Sequence, residues 1–189
     1  MQKFTVSFLG RDCPGVVSTV STLLSNCSAN ITAATQSLLL GEFAGIFLVE
    51  VADDTVAAET LQQQLQEGLA KAEFDLSLIV RPTCEGAWGK NSHSEPFVVS
   101  ADGQDGNGQI AAMSRVFSRH GVNIESLRAY LGDDAAKNHA LFVFEVMVPE
   151  SVDIGRLRRE LLCEGQSLGL RVSVQHRDIF EAVNRIESI

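Results

Sequence analysis

Phe4, Val6 and Phe8 alternate with Lys3, Thr5 and Ser7, the period-2 signature of a half-buried strand over residues 3–10. Val16, Val17, Val20, Leu23 and Leu24 then recur at helical spacing, marking one apolar helix face. Pro14, just ahead, suits the first turn of that helix, where its missing N–H costs nothing. Residues 26–30 break it, with Asn26 and Asn30 at the ends of the stretch. Residues 31–40 and 43–51 are rich in β-branched and apolar side chains, with a short turn at Gly41 and Glu42, and predict a hairpin. Asp53, Asp54 and Thr55 offer capping oxygens for a helix that turns Val56, Leu61, Leu65 and Leu69 inward. Its outward face is Gln62, Gln63, Gln66 and Glu67. Phe74, Leu76, Leu78 and Val80 alternate with polar neighbours in a fourth strand. The predicted order is β-α-β-β-α-β.

The pattern then repeats. Residues 97–101 read as a strand, and Ile110, Met113, Val116 and Phe117 as a helix face. A strand starts at Asn123 and runs to about residue 131, followed by a longer turn over 132–139. Phe142, Phe144, Val146 and Val148 alternate in a third strand. Ser151 or Asp153 can cap a helix bearing Ile154, Leu157 and Leu161, and Leu170, Val172 and Val174 make the last strand. Gly103, Asp105, Gly108, Asn123 and Ile124 stand 93 residues after Gly10, Asp12, Gly15, Asn30 and Ile31. An internal repeat of about half the chain predicts two similar domains. Each is an α+β, ferredoxin-like unit: a four-stranded antiparallel sheet with two helices on one face. The expected boundaries are 1–82, a linker over 83–95, 96–178, and a tail over 179–189. Trp88 lies in the linker and reads as an anchor packing it onto a domain. Ile179, Phe180, Val183 and Ile186 would form one stripe of a short tail helix, docked on its own chain or on a partner.

Charge narrows the function. The formal net charge is −9, the opposite of the basic footprint of a nucleic-acid-binding domain, and it argues against anionic membrane surfaces. No charged residue occurs between Cys13 and Gly41, but serine, threonine, asparagine and glutamine interrupt that stretch throughout, so it is not a membrane span. The N-terminus lacks the apolar core of a signal peptide. Cys13, Cys27, Cys84 and Cys163 form neither a CxxC pair nor a zinc spacing. A reducing, cytoplasmic setting without structural metal is the simplest reading. Residues 103–108 are not a dinucleotide fingerprint, and no phosphate-binding loop or nucleophile elbow occurs. Asp105 and Asn107 faintly resemble a calcium loop, but Val116 stands where its glutamate belongs. No catalytic constellation, cofactor motif or metal site is expected, and the chain reads as no enzyme.

The doubled glycine-aspartate loop remains. A helix start leaves N–H groups unpaired and carries partial positive charge, and glycines let a ligand approach the backbone. Asp12 can either cap the helix or accept hydrogen bonds from a ligand ammonium. A zwitterion such as an amino acid suits that mixture. Cys13 lies near a helix start, where thiol pKa values can fall. No histidine accompanies it and its counterpart is Gly106, so it reads as a small lining residue before a nucleophile. Ser18, Thr19, Ser21, Thr22 and Ser25 form an uncharged helix face, a composition typical of interface cores, suited to the other domain or to a second chain in a homodimer. Arg156, Arg158 and Arg159 read as a solvated helix face.

Gly10, Asp12, Pro14 and Gly15 after a first strand, with Asn30 and Ile31 opening the second, resemble the ACT domain, a βαββαβ regulatory module that often binds amino acids. The second copy keeps Gly103, Asp105, Gly108, Asn123 and Ile124 but has Asn107 in place of the proline. A free-standing pair of such domains is similar to the glycine cleavage system transcriptional repressor family. That resemblance implies an effector, glycine first, held at a domain interface against the first loop and the start of strand two. It implies Asp12, Cys13, Gly15, Asn30 and Ile31 as ligand-binding residues, with Asp105, Asn107, Gly108, Asn123 and Ile124 in the second copy. It implies action through a protein partner such as a DNA-binding transcriptional activator, without direct contact to nucleic acid. An amino-acid-sensing or adaptor protein regulating an enzyme is the alternative.

Overall fold

The structure, a computed structural model, describes residues 1–83, 93–132 and 138–184, with side chains described to residue 182. Cys84, Trp88, Val183 and Ile186, and most of the linker and of the 132–139 turn, lie outside the residues so described. The chain divides into two compact units, Met1–Gly86 and Ala87–Ile189.

The first unit runs β1 (Gln2–Arg11), α1 (Val16–Asn26), β2 (Ala29–Leu39), β3 (Glu42–Val51), α2 (Ala58–Lys71) and β4 (Leu76–Pro82). Its sheet is ordered β2-β3-β1-β4, all antiparallel. Alternation puts Phe4, Val6 and Phe8 of β1 on one face with Phe43, Phe47, Val49 and Val51 of β3 and Leu78 and Val80 of β4. Val16, Val20 and Leu24 of α1 and Leu61, Leu65 and Leu69 of α2 close over that face. Phe8 and Phe47 meet edge to face, ring centres 5.6 Å apart. Burying each of these large apolar side chains contributes about 1.5–3 kcal/mol.

The second unit repeats the plan with β5 (Ser94–Gln104), α3 (Gln109–Arg119), β6 (Asn123–Leu131), β7 (His139–Pro149), α4 (Ile154–Ser167) and β8 (Leu170–His176), then adds α5 (Arg177–Asn184). The sheet order β6-β7-β5-β8 matches the first. Its core gathers Phe97, Val99 and Ala101 with Phe142, Phe144, Val146 and Val148 under Met113, Val116 and Phe117 of α3 and Leu157 and Leu161 of α4. α5 lies against β5 and β8 of its own unit. Arg177 at its start bonds Glu125 at 2.8 Å, while Ile179 is 57% exposed, so the expected apolar stripe is not uniformly buried.

Local details depart from the pattern for physical reasons. Pro14 precedes α1 instead of joining its first turn, because Gly15, at φ +99°, takes the N-cap position in the left-handed region. Val17 faces solvent, one residue and about 100° round the helix from Val16. Asp53 does not cap α2: its carboxylate accepts from the N–H and hydroxyl of Thr55, and the helix starts later, after Ala57. Asp153 does cap α4, accepting from Gly155 and Arg156 N–H at 2.8 and 3.1 Å. The first hairpin turns at Leu40 and Gly41, one residue earlier than the pattern suggests. Both have positive φ, +50° and +84°, the geometry of a two-residue type I′ turn. Ser94 and Glu95, read as linker, already belong to β5.

Candidate functional site

The glycines of the doubled loop serve two different ends. A Cβ on Gly10 would stand 2.2 Å from the carbonyl oxygen of Asp75, and one on Gly103 2.3 Å from that of Gly169. These two glycines let the central strand pass the turn that enters the last strand, a packing role and not one of ligand approach. Gly15 and Gly108 instead sit at φ +99° and +82° as N-caps of α1 and α3, where L side chains are strained. Neither helix has a side-chain cap. The capping role open to Asp12 and Asp105 is therefore not taken up. Their backbone N–H groups tie the loop to the neighbouring hairpin, Asp12 to Gly41 O at 2.8 Å and Asp105 to Asn138 O at 2.9 Å.

Beside the first loop lies a cleft of ≈ 340 Å³. Asp12, Cys13 and Gly15 line one wall with the start of α1, and Gln36, Leu38 and Phe43 the other. The size is at the lower end of small-molecule sites. The N–H of Val16 bonds Cys13 O at 3.3 Å, but those of Val17 and Ser18 have no intrahelical acceptor, and the N–H of Cys13 has none among the described residues. The Asp12 carboxylate makes no hydrogen bond or ion pair among the described residues. Donors, one carboxylate, the Gln36 amide and two apolar side chains thus border one small cavity. Cys13 is an exposed free thiol, and no group of three or more histidine, cysteine or acidic side chains able to hold a metal occurs among the described residues.

The expected site is divided by the fold. Asn30 and Ile31 line a separate cleft of ≈ 410 Å³ with Ser21, Ser25 and Ser28. The eleven residues of α1, spanning about 16 Å, separate its first turn from the start of β2. The second unit has the matching cleft, ≈ 400 Å³, lined by Asn123, Ile124, Ser114, Ser118 and Gly121. Each of these five stands 93 residues after its counterpart. Asp12, Cys13 and Gly15 come together; Asn30 and Ile31 come together; the two groups do not share a cavity.

The second loop is built differently. Asp105, Asn107 and Gly108 are exposed, but Gln109, next in sequence, is only 3% exposed. Its Oε1 accepts from Gly106 N–H at 3.1 Å, and its Nε2 donates to Gln104 O at 2.8 Å and Leu168 O at 3.2 Å. The apolar pattern of the sequence does not single out Gln109. The available signal is its place opposite Val16 in the repeat, a polar residue at a core position. Nearby, Asp102 bonds Arg171 at 2.6 Å and His139 at 2.7 Å. The Arg171 hydrogen bond, aided by His139, holds its carboxyl below the usual carboxylate range. His120 contacts Glu160 at 3.0 Å. Arg156 pairs with the same glutamate, and Arg158 bonds Val174 O. Both arginines lie on the exposed face of α4, as the sequence predicts.

No helix among the described residues is long and apolar enough to cross a membrane. A family model described as "ACT domain" matches residues 2–79. A UPF0237 protein of Methanopyrus kandleri is 36% identical over 92 residues, covering 47% of this chain and 96% of that protein. One of Pyrobaculum aerophilum is 39% identical over 93 residues, covering 49% and 99%. Each relative thus corresponds to about half of this chain. Among solved structures, a protein of unknown function from Galdieria sulphuraria superposes with a TM-score of 0.74 at 22% identity, covering 93% of this chain and 98% of that one. A candidate glycine cleavage system transcriptional repressor gives 0.66 at 17% identity, covering 92% and 96%. At these identities the structural likenesses speak for the fold.

Proposed function

Because the chain belongs to the ACT-domain family, as a tandem of two such units, we propose that it is a regulatory protein, not an enzyme, that binds a small amino acid and acts on an enzyme or process through protein contact. The observation that carries this is the cleft at the first loop. It offers unpaired N–H groups at an uncapped helix start to a carboxylate, and the Asp12 carboxylate to an ammonium. A zwitterion needs both within a few ångströms. The cavity, ≈ 340 Å³, favours a small one, and glycine is the first candidate. Asp12, Cys13 and Gly15 would hold the ligand. Asn30 and Ile31, in a cleft of their own, would contribute where a second chain brings such an edge to the loop. The uncharged outer face of α1, with Ser21 and Ser25, suits that contact and a homodimer. The boundary at 82 and a cytoplasmic setting belong to this reading. Control of glycine cleavage through a DNA-binding activator is its narrower form. The observation favouring it is a shared fold at 17% identity, which says nothing of partner, so the broader form is the conclusion.

Isothermal titration of the full chain against glycine, serine and the other amino acids tests it. Saturable heat with at least one, its affinity weakened roughly tenfold or more in Asp12→Ala, is the expected result. A ligand at one hundred times its Kd would also stabilise the fold by about 2.7 kcal/mol. No heat and no thermal shift with any amino acid would refute amino-acid sensing.

A further inference from the structure

We propose that Gln109 seals the second loop from within, so that the chain takes its effector at the first loop alone; this rests on the amino-acid reading above. The two loops share their backbone plan: a tight glycine at 10 and 103, a left-handed glycine at 15 and 108, and an aspartate tied to the hairpin at 12 and 105. They differ at the first turn of the helix. Val16 and Gln109 occupy the same repeat position, and each is only 3% exposed, but only the glutamine carries polar atoms. Its carboxamide is an acceptor beside a donor, the arrangement of charges an amino acid would present. It takes up the Gly106 N–H and the carbonyls of Gln104 and Leu168. In the first unit the N–H matching Gly106 is that of Cys13, which has no acceptor among the described residues.

A buried amide stays where its donors and acceptor are met. A ligand entering the second loop would have to displace a side chain tethered to the same helix, an intramolecular competitor at high effective concentration. The first loop has no such competitor, because valine cannot make these bonds. The exchange of proline for Asn107 is therefore not the main difference between the copies; the exchange of valine for Gln109 is.

The test is an amide NMR titration of the uniformly labelled full chain with glycine, serine and the other amino acids, on the wild type, Gln109→Val and Val16→Gln. In the wild type, Cys13, Gly15 and Val16 signals should shift and saturate while Gly106 and Gly108 stay still. Gln109→Val, which installs the first unit's residue, should let Gly106 and Gly108 respond, from one site per chain to two. Val16→Gln should silence the first loop; should it fail to fold, Gln109→Val still decides. Hydrogen exchange at Gly106 provides a ligand-free readout: slow in the wild type, roughly tenfold or more faster in Gln109→Val. Wild-type shifts at Gly106 and Gly108, or a Gln109→Val protein that still binds at one loop only, would overturn the proposal. If no amino acid moves any signal, the amino-acid reading fails. The seal is then judged by Gly106 exchange alone, and fast exchange in the wild type overturns it.

Discussion

Replacing Gly10 by alanine separates the structural use of the loop's glycines from a ligand-binding one. The added Cβ would lie 2.2 Å from the Asp75 carbonyl oxygen and 3.0 Å from a Leu76 methyl. The first is backbone, held by the pairing of Gly10 with Leu76, and has no rotamer into which it can retreat. The strand must shift by about 1 Å to reach ordinary van der Waals separation, and overpacking of this kind costs about 1–3 kcal/mol. For a domain of this size each kcal/mol lowers Tm by roughly 4–8 °C, so a loss of about 12–24 °C is expected at the upper end of that cost. Gly103→Ala, at 2.3 Å from Gly169 O, should match it in the second unit. Gly41→Ala is the control: nothing lies within 4 Å of its Cβ, so only the left-handed strain of about 1–2 kcal/mol applies. Scanning calorimetry of the three variants gives the ranking. A Gly10→Ala protein that melts with the wild type yet no longer binds any amino acid would refute the packing argument and return Gly10 to the ligand.

Three further expectations follow from named contacts. Asp153→Ala should cost about 1 kcal/mol by loss of the α4 cap, whereas Asp53→Ala should cost clearly less, because its carboxylate serves only Thr55 in an exposed turn; urea midpoints of the two variants check the order. Asp102 has its pKa lowered in the folded chain by Arg171 and then His139, so its stabilisation is complete above the unfolded carboxylate value of about 3.9 and is lost as pH falls through the lower folded value. Asp102→Asn should therefore flatten the decline of the urea midpoint below about pH 4; parallel curves for variant and wild type would contradict this. Asp12→Ala should leave the melting temperature unchanged, since Asp12 caps nothing, while weakening amino-acid binding roughly tenfold or more through loss of a charged hydrogen bond.

Strand alternation made the architecture legible. Phe4, Val6 and Phe8, and again Phe142, Phe144 and Val146, can be buried together only on one sheet face, and the 93-residue offset carried the second unit with the first. Helix starts were less legible. Asp53 and Asp12 look like caps, but a cap requires a matching backbone turn, and at both places the chain turns elsewhere, at Ala57 and at Gly15. The candidate site was legible as residue types and not as a cavity. Asp12 and Asn30 are linked in the sequence by the repeat, yet they sit at opposite ends of α1, a separation no motif records. Gln36, Leu38 and Phe43 come to the first loop through the hairpin register, and Gln109 hides among residues whose partners read as apolar.

The most direct test of the central claim is a crystal structure of the full chain soaked with the amino acid that gives the largest heat. Ligand density is expected against Asp12, Cys13 and Gly15 with Gln36 and Phe43 alongside, and the Gln109 side chain still bonded to Gly106. Density confined to the Ser21, Ser25 and Asn30 cleft, or a ligand on Gly106 with Gln109 displaced, would contradict it.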